Sequence, residues 1–282
     1  MPLAPRPGRL FCFGIGYSGG ALARALLAQG WQVAGTCRSP EGLAALAGLG
    51  ITAFPFDDLP GGAFAGITHV LSSVPPGADG DPVLARYGAM MAAAAGTTEW
   101  VGYLSTTGVY GDTGGAWVDE WAPLAPSVAR QARRVDAERA WREGLSAHIF
   151  RLAGIYGPGR SAVDSVRAGT ARRIDKPSHV FCRIHVDDIA AVLMASIARP
   201  NPGAVYNVCD DLPSAPSEVV DEACRLLGVE PPPLVSLERA GLSPMAASFW
   251  RDNRRVRNDR IKAELGVTLR HPDFRSGLAA CL

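Results

Sequence analysis

Lysine is almost absent from this 282-residue chain, in which only Lys176 and Lys262 of the 28 basic residues are lysines. Basic and acidic residues nearly balance, at a formal net charge of +1, and the arginines are scattered along the chain. That distribution gives no basic footprint for nucleic acid. Because lysine is so rare, the composition alone can explain an arginine at a position where a catalytic site would usually have a lysine.

Long apolar runs and paired cysteines are missing as well. No apolar run reaches membrane-spanning length, and the N-terminus lacks a signal-peptide pattern, so no membrane association is expected. The six cysteines stand singly, without a C-x-x-C pair, which favours buried thiols in the reducing cytoplasm. No His, Cys or Asp cluster has metal spacing, so we expect no metal. The length suits one large domain, or one domain with a lobe.

The most informative stretch is a strand, a glycine turn and a helix. Residues 10–13 form an apolar run typical of a strand buried on both faces, and residues 21–29 have a helical pattern. Between them lies a G-x-G-x-x-G turn, whose glycines permit a tight turn, close approach of a pyrophosphate and helix packing. The helix N-terminus would hold the phosphates. The candidate contacts are Gly14, Gly16, Tyr17, Ser18 and Gly19.

The end of the next predicted strand, residues 31–37, indicates which dinucleotide binds. An NAD site usually has a carboxylate here for the ribose 2′-hydroxyl, whereas an arginine suits the 2′-phosphate of NADP. This chain has Arg38 and Ser39, which favours NADP over NAD. Ser39 is also a candidate cap for the following helix, with Pro40 at its first position.

Strands and helices continue to alternate through the first 160 residues. Apolar runs predict further strands at 51–56, 67–74, 100–104 and 148–152. This alternation predicts an α/β fold with a doubly wound parallel sheet. Ligands bind at the carboxyl ends of such strands, and Ser72 and Ser73 end one of them. After Arg160 the regularity decreases, and the remainder predicts a small, partly helical lobe.

Several ordered motifs carry a family resemblance. They are the glycine turn, STTGVYGD (105–112), RLAGIYGPGR (151–160), RIHVDDIA (183–190), VYNV (205–208) and, near the C-terminus, RIKAELGV (260–267) with HPDFRSGL (271–278). Together they resemble an extended short-chain dehydrogenase/reductase of the NAD-dependent epimerase/dehydratase type. The two C-terminal motifs resemble an atypical branch of that family. The likeness covers nearly the whole chain.

The resemblance implies a Rossmann domain over residues 1–160 and a C-terminal substrate lobe over 161–282, with 183–208 returning to the Rossmann sheet. It places the active site between them. It implies an oxidoreductase or epimerase/dehydratase-like activity and adds Asp57 at the adenine. It also places Thr106 at the catalytic Ser/Thr position. Beside the cofactor ribose and nicotinamide it places Ser72, Ser73, Val74, Pro75 and Tyr156.

The chain departs from the family at its acid/base pair. The family has a Tyr four residues before a Lys on a helix that carries a Glu four positions further on. Anchored on Glu138, this alignment puts Arg134 at the Lys position and Arg130 at the Tyr position. None of the six tyrosines has a lysine four residues later. Arg134 could still hold ribose hydroxyls and supply positive charge, which makes it a catalytic candidate. Arg130 cannot replace the phenol, because a guanidinium does not deprotonate at working pH.

Two substitutes for the missing pair stay open. Tyr110 and Tyr156 both follow predicted strands toward the cleft and could transfer the proton. Alternatively, Thr106 could act with a water in a slow reduction. The sequence therefore narrowly favours an NADP-dependent oxidoreductase or epimerase-like enzyme without the Tyr-x-x-x-Lys pair. The alternative is a non-catalytic NADP(H)-binding sensor or regulatory protein.

The substrate side also departs from the sugar-nucleotide enzymes. Phe181 stands where those enzymes have an arginine for the diphosphate, with Arg183 two residues further on. Asp187 and Asp188 are explained by capping and by complementarity to the dipole at the start of the next helix, and His185 is expected to be structural. We expect a small-molecule substrate, for which an anion is one candidate, and we leave a homodimer open. The candidate substrate contacts are Arg130, Arg160 and Arg183.

Overall fold

The computed structural model describes residues 7–282, so the first six residues of the predicted Rossmann domain lie outside the described residues. The strands are β1 (Arg9–Phe13), β2 (Gln32–Cys37), β3 (Thr52–Pro55), β4 (His69–Ser72), β5 (Trp100–Thr106), β6 (Trp117–Val118), β7 (His148–Leu152), β8 (Gly154–Tyr156), β9 (Arg173–Asp175), β10 (Arg183–His185), β11 (Val205–Val208), β12 (Leu234–Ser236) and β13 (Arg255–Val256). The helices are α1 (Tyr17–Leu27), α2 (Pro40–Gly48), α3 (Pro82–Ala93), α4 (Ala129–Leu145), α5 (Ala162–Arg167), α6 (Val186–Ala198), α7 (Pro216–Leu227), α8 (Pro244–Phe249), α9 (Asp259–Ala263) and α10 (Phe274–Ala279).

Seven strands form one parallel sheet in the order β11-β7-β5-β4-β1-β2-β3. The chain runs from β1 outward to β3 and then crosses back to β4, so the order reverses between β1 and β4. Ligands in open α/β sheets bind at such a reversal, beyond the carboxyl ends of the strands. The predicted α/β, doubly wound Rossmann fold is confirmed.

Strand β1 is buried on both faces, as its apolar run predicts. Leu10 and Cys12 pack into the hydrophobic core on one face, while Phe11 and Phe13 pack into the core on the other. Helices α1 and α6 cover the first face with residues such as Leu22 and Val192. Helices α3 and α4 cover the second face. Parallel strands covered by helices on both sides need this kind of continuous apolar sequence.

Helix α1 begins at Tyr17, four residues earlier than its apolar pattern predicts. Gly19 and Gly20 have low helix propensity, which obscured the first turn. A Cβ on Gly19 would lie 3.0 Å from the Cys12 sulfur, so this glycine lets the helix pack directly on β1. Packing therefore outweighs propensity here.

The C-terminal part is a smaller unit against the sheet. Of the segment 183–208, the strand β11 joins the large sheet and α6 packs beside α1, whereas β10 pairs with β8 outside the large sheet. Helices α5, α7 and α10 form a separate core that includes Tyr156 and Phe274. Within residues 7–282 we find no helix with the length and apolar character needed to cross a membrane.

Candidate functional site

The glycine turn is fixed on its sheet side and open on its helix side. Gly14 has φ +75°, and a Cβ there would lie 2.9 Å from Val74 Cγ2, so only glycine fits. Its N–H donates to Thr36 Oγ1 at 2.8 Å, and its carbonyl accepts the Ser73 hydroxyl at 2.5 Å. Of the atoms in the described part of the chain, a Cβ on Gly16 would meet only the Gly14 carbonyl oxygen, at 3.9 Å. The turn thus leaves Gly16 accessible to a ligand.

Helix α1 directs its first amide groups at this opening. Its N-cap is Gly16, which has no side chain to accept those N–H groups, and its first turn has no acidic residue. Ser18 and Gly19 are buried in the same turn. Uncapped N–H groups and the positive end of the helix dipole make an anion site. The geometry fits a pyrophosphate.

Tyr17 connects the glycine turn to the segment after β8. Its hydroxyl donates to the carbonyl of Pro158 at 3.0 Å. The guanidinium of Arg160 lies over its ring, 5.7 Å from the centroid. The structure therefore brings Tyr17 next to Arg160, which the sequence assigned to the substrate.

The residues assigned to the cofactor's adenosine end are exposed. Arg38 lies at the end of β2, facing solvent. The hydroxyl of Ser39 accepts the Gly42 N–H at 3.1 Å and so caps α2, as predicted. Asp57 is exposed, and its carboxylate lies 3.6 Å from a guanidinium nitrogen of Arg86. Arg86 is thus a partner of Asp57 that the sequence did not indicate.

The end of β4 lies against the glycine turn, at the reversal of strand order. Ser73 and Val74 contact Gly14, and Pro75 follows them at the surface. Ser72 is fully buried, and its hydroxyl has no hydrogen-bond partner within residues 7–282. The predicted cofactor residues from two separate motifs therefore come together at one edge of the sheet.

Thr106 ends β5 beside two polar residues that the sequence did not single out. Its Oγ1 accepts the Gly108 N–H at 3.1 Å. A Cβ on Gly108 would lie 3.3 Å from Thr106 Oγ1 and 3.4 Å from Gln131 Nε2, so both polar atoms flank this glycine. Gln131 in turn donates to the buried carboxylate of Asp252 at 2.7 Å. Gln131 directly follows position 130, where the family has its tyrosine. That neighbouring position is the only signal in the sequence that could have indicated Gln131.

The two arginines at the Tyr and Lys positions point to different surroundings. Arg134 donates to the Leu104 carbonyl at 2.8 Å and to the Tyr103 hydroxyl at 2.9 Å, so its charge lies against β5. Arg130 instead contacts the lobe, with its guanidinium 4.7 Å from the ring centroid of Phe249. Arg130 and Arg134, one turn apart on α4, therefore contact different parts of the protein.

Tyr110 does not face the cleft, and this expectation is wrong. Its hydroxyl is buried, donates to Asn207 Oδ1 at 2.7 Å and accepts from Arg151 at 2.8 Å. Burial raises the pKa of Tyr110 to about 12, although the Arg151 charge acts to lower it. The short 3₁₀ turn 107–110 after β5 carries the ring back into the core. Tyr110 is part of the framework and is poorly placed for proton transfer.

Tyr156 lies under the lobe instead of facing open cleft. Its ring packs edge-on against His185, with centroids 5.2 Å apart, and its hydroxyl donates to the Asp273 carbonyl at 3.4 Å. Burial is the main cause of a pKa raised above the usual tyrosine value. Tyr156 therefore holds its proton strongly, and its phenol is tied to the segment before α10.

A cavity of about 540 Å³ lies beside Tyr156 and contains two of the predicted substrate arginines. Arg160 is exposed at its edge, and Arg183 is half-buried. One nitrogen of Arg183 donates to Ser214 Oγ at 2.7 Å and to the Phe181 carbonyl at 3.0 Å. The other lining residues are Tyr156, Gly159, Ser161, Ala162, Asp164, Ser165, Ala168, Thr170, Val219, Phe274 and Leu278.

The capping role expected of two aspartates falls to a histidine. His185 is the N-cap of α6, and its Nδ1 accepts the Asp187 N–H at 3.2 Å. Asp188 is fully buried and accepts the backbone N–H groups of Arg270 and His271, at 2.7 and 3.0 Å. Asp188 thus fastens the C-terminal segment to α6, a long-range contact that a local capping pattern cannot reveal.

Comparison with known proteins gives relatives along the whole chain. A conserved protein of unknown function from Silicibacter pomeroyi DSS is 52% identical, with a TM-score of 0.92, and the match covers 97% of this chain and 98% of that one. A protein described as a candidate NAD-dependent epimerase/dehydratase from Methylobacillus flagellatus is 26% identical, with a TM-score of 0.70 and 98% of each chain covered. Protein YeeZ of Escherichia coli K12 is 28% identical over 92% of this chain and 95% of its own. No protein-family profile matches the chain.

More distant structures share the fold. One is a dTDP-glucose 4,6-dehydratase from Streptomyces venezuelae solved with NAD bound. It is 20% identical, with a TM-score of 0.74, and the match covers 97% of this chain and 95% of that one. The sheet order, the glycine turn at its reversal and the full-length relatives agree with one another. Along its whole length the chain is similar to the NAD-dependent epimerase/dehydratase type of extended short-chain dehydrogenases/reductases, in agreement with the motifs of its sequence.

Proposed function

We propose that this protein binds NADP at the glycine turn and is an oxidoreductase or epimerase-like enzyme of non-standard active site. The observation that carries the proposal is the open side of Gly16, where a pyrophosphate would fit against the uncapped N-terminus of α1. Arg38 would bind the 2′-phosphate, because it is exposed at the end of β2. Ser73 and Val74 would border the ribose. Family members solved with NAD support the cofactor class but not the choice of NADP.

Thr106 is the residue that we propose to contact the reacting oxygen. Since its Oγ1 already accepts the Gly108 N–H, its own proton is free to be donated to a substrate oxygen. A nicotinamide cofactor supplies hydride exchange at its C4 when it is bound. Arg134 would add positive charge along β5, and Gln131 with Asp252 would border the same site. A phenol in the family's position is missing from this arrangement.

A non-catalytic NADP(H) sensor is the second candidate, and a specific observation favours it. Both tyrosines that could replace the family's phenol have buried hydroxyls that are engaged elsewhere, Tyr110 with Asn207 and Tyr156 with Asp273. Such a protein would discriminate between oxidised and reduced cofactor without turnover. The half-buried Thr106 hydroxyl, whose proton is free to be donated, favours the enzyme.

A small anionic substrate fits the cavity beside Tyr156. Arg160 and Arg183 supply two positive charges there, and Asp164 supplies one negative charge at its wall. Asp164 accepts the Ser161 hydroxyl at 2.6 Å in the cap of α5, so that carboxylate is already engaged. The arginines therefore dominate the recognition that the cavity offers, which suits a carboxylate or a phosphate.

The cofactor assignment is tested by fluorescence titration with NADPH and NADH. We expect NADPH to bind at least tenfold more tightly, a difference of about 1.4 kcal/mol. Arg38→Ala should remove that preference and leave NADH binding unchanged. Arg139→Ala, which removes an exposed arginine of α4, is the matched control and should change neither affinity. Failure of both cofactors to bind would contradict the dinucleotide assignment.

The catalytic assignment is tested by hydride exchange from C4-deuterated NADPH to a panel of small acidic carbonyl compounds. Thr106→Ala should reduce the rate by about 100-fold, because a hydrogen bond to the reacting oxygen is lost. Thr106→Ser keeps the hydroxyl and should retain most activity. If NADPH binds but no compound is reduced, and both variants bind NADPH like the native protein, the sensor is the better description.

A further inference from the structure

Three potential metal ligands meet where helix α6 begins against the C-terminal segment. His185 is the N-cap of α6, Asp187 lies in its first turn, and His271 precedes α10. They are held together by Asp188, whose carboxylate accepts the backbone N–H of His271 at 3.0 Å. The juxtaposition is therefore a fixed part of the fold.

The distances suit a single ion. Asp187 Oδ2 lies 3.8 Å from His185 Nδ1 and 3.8 Å from His271 Nε2, and ligand atoms of all three residues lie within 4.8 Å of one another. A tetrahedral ion with bonds of about 2.1 Å holds its ligand atoms about 3.4 Å apart. Shifts of roughly an ångström would therefore complete the site. The Asp187 side chain is 49% exposed and has room to make them.

Each of the two histidines has one ring nitrogen without a partner among the described residues. Both are buried, and Nε2 of each has no hydrogen-bond partner within residues 7–282. The 3.8 Å separations are too long for hydrogen bonds to Asp187. Buried polar atoms normally have a partner. His271 Nε2 is such an unpartnered nitrogen beside the Asp187 carboxylate, while His185 presents to that carboxylate its Nδ1, which has only the 3.2 Å bond from the Asp187 amide. Two imidazole nitrogens and a carboxylate oxygen in this arrangement are an environment in which a cation would be bound.

We propose that His185, Asp187 and His271 bind one divalent transition-metal ion, zinc in the first instance, through Nδ1, Oδ2 and Nε2. Two imidazoles and a carboxylate form a donor set that zinc accepts, with water in the fourth position on the exposed Asp187 side. His185 Nδ1 would exchange its long, 3.2 Å bond from the Asp187 amide for a bond to the ion.

Arg270 competes for the same carboxylate. Its Nη1 is also 3.8 Å from Asp187 Oδ2, but its side chain is 75% exposed and can move away when an ion enters. The bound ion would connect α6 to the C-terminal segment, directly behind the Tyr156 ring that packs on His185. Since α6 packs beside α1, the ion would also stiffen the wall of the proposed cofactor site.

Calorimetric titration of tag-free protein with zinc chloride, after treatment with a chelator, tests the site. We expect one zinc per chain, and a rise in the unfolding temperature that scales with free zinc. Asp187→Asn and His271→Gln should each weaken binding at least tenfold. Asp136→Asn removes an exposed carboxylate of α4 that is not part of the cluster and should leave binding unchanged. Because Asp187 is exposed, its variant should fold even if His271→Gln does not.

Cobalt(II) distinguishes this site from the six free cysteines. Titration should give visible d–d bands without a thiolate-to-cobalt charge-transfer band, and the bands should disappear in Asp187→Asn. A charge-transfer band at one equivalent would place the metal on cysteine and overturn the proposal. The proposal would also be overturned if Asp187→Asn and His271→Gln both bind zinc like the native protein, or if the native protein binds no zinc.

Discussion

Gly16 is the residue at which cofactor binding can be separated from folding. Among residues 7–282 a Cβ there would meet no atom closer than 3.9 Å, yet it would project toward the proposed pyrophosphate. Gly16→Ala should therefore keep the stability of the protein within about 1 kcal/mol and weaken NADPH binding by at least tenfold. Equilibrium denaturation and fluorescence titration measure the two effects.

Gly20→Ala is the matched control for that substitution. Its Cβ would lie 3.5 Å from a guanidinium nitrogen of Arg24, an ordinary contact on the far side of the helix start. Inside α1 this change should stabilise the protein by about 0.5–1 kcal/mol and leave cofactor affinity unchanged. If Gly16→Ala binds NADPH as tightly as Gly20→Ala, the pyrophosphate is not at this turn.

At the residue scale, sequence reasoning succeeded where the requirement is local. The glycine turn and the Ser39 cap follow from backbone geometry within a few residues, and the structure has both. Tyr110 was misplaced because its direction depends on the 3₁₀ turn and on Arg151, which lies on another strand. The roles proposed for Arg38 and Thr106 stay predictions.

At the scale of elements, a buried polar network ties α4 to the sheet. Ser105, Arg151 and Asn207 stand side by side on β5, β7 and β11, as the strand register shows. Glu138 of α4 accepts the Ser105 hydroxyl at 2.5 Å and pairs with Arg151 at 2.8 Å, and both members of the pair are buried. Removing one member of a buried pair leaves an uncompensated charge.

Glu138→Ala should consequently cost about 3–5 kcal/mol of stability. Glu143→Ala removes an exposed carboxylate from the same helix and should cost no more than about 0.5 kcal/mol. Urea denaturation of both variants measures the difference. A cost below 1 kcal/mol for Glu138→Ala would contradict the view that this pair fixes α4 to the sheet.

Most strands and helices were predictable from the sequence, while their ends and partners were less so. The strand β7 has its predicted bounds, but β5 continues to Thr106, two residues past its prediction, because Ser105 and Thr106 still pair with β7. Pairing of that kind depends on a neighbour that a single-strand pattern does not contain. The same reason hid the meeting of His185 with His271.

At the scale of the whole molecule, buried ionisable groups set the pH range of stability. Burial lowers the pKa of His69 and of His179 to about 4, from the ordinary 6.5. The unfolded chain therefore binds more protons between these values. The contribution of these histidines to stability is thus complete above pH 6.5 and declines as pH falls toward 4. Burial of His148 lowers its pKa as well and acts in the same direction.

Asp210 has the opposite effect at higher pH. It is almost fully buried, and one of its carboxylate oxygens has no hydrogen-bond partner within residues 7–282. Burial raises its pKa from 3.8 to about 8 despite the nearby Arg183. The folded protein then binds the extra proton between these values, so this contribution is complete below 3.8 and is lost as pH rises through 8. Between pH 4 and pH 6.5 the histidines, which favour the folded protein as pH rises, outnumber this one carboxyl, which disfavours it. Stability therefore still increases with pH in that range.

These groups together predict a stability maximum near the ordinary histidine pKa of about 6.5. Above it, the Asp210 contribution should fall by on the order of 2 kcal/mol by pH 8, since each pH unit is worth about 1.4 kcal/mol per proton. Asp210→Asn cannot ionise and should flatten that decline, whereas the exposed Asp136→Asn should not alter it. Urea unfolding in the presence of a chelator, from pH 5 to pH 8, measures both slopes. If the alkaline decline in stability persists unchanged in Asp210→Asn, another group causes that decline. Asp210 would then be charged in its buried position beside Arg183.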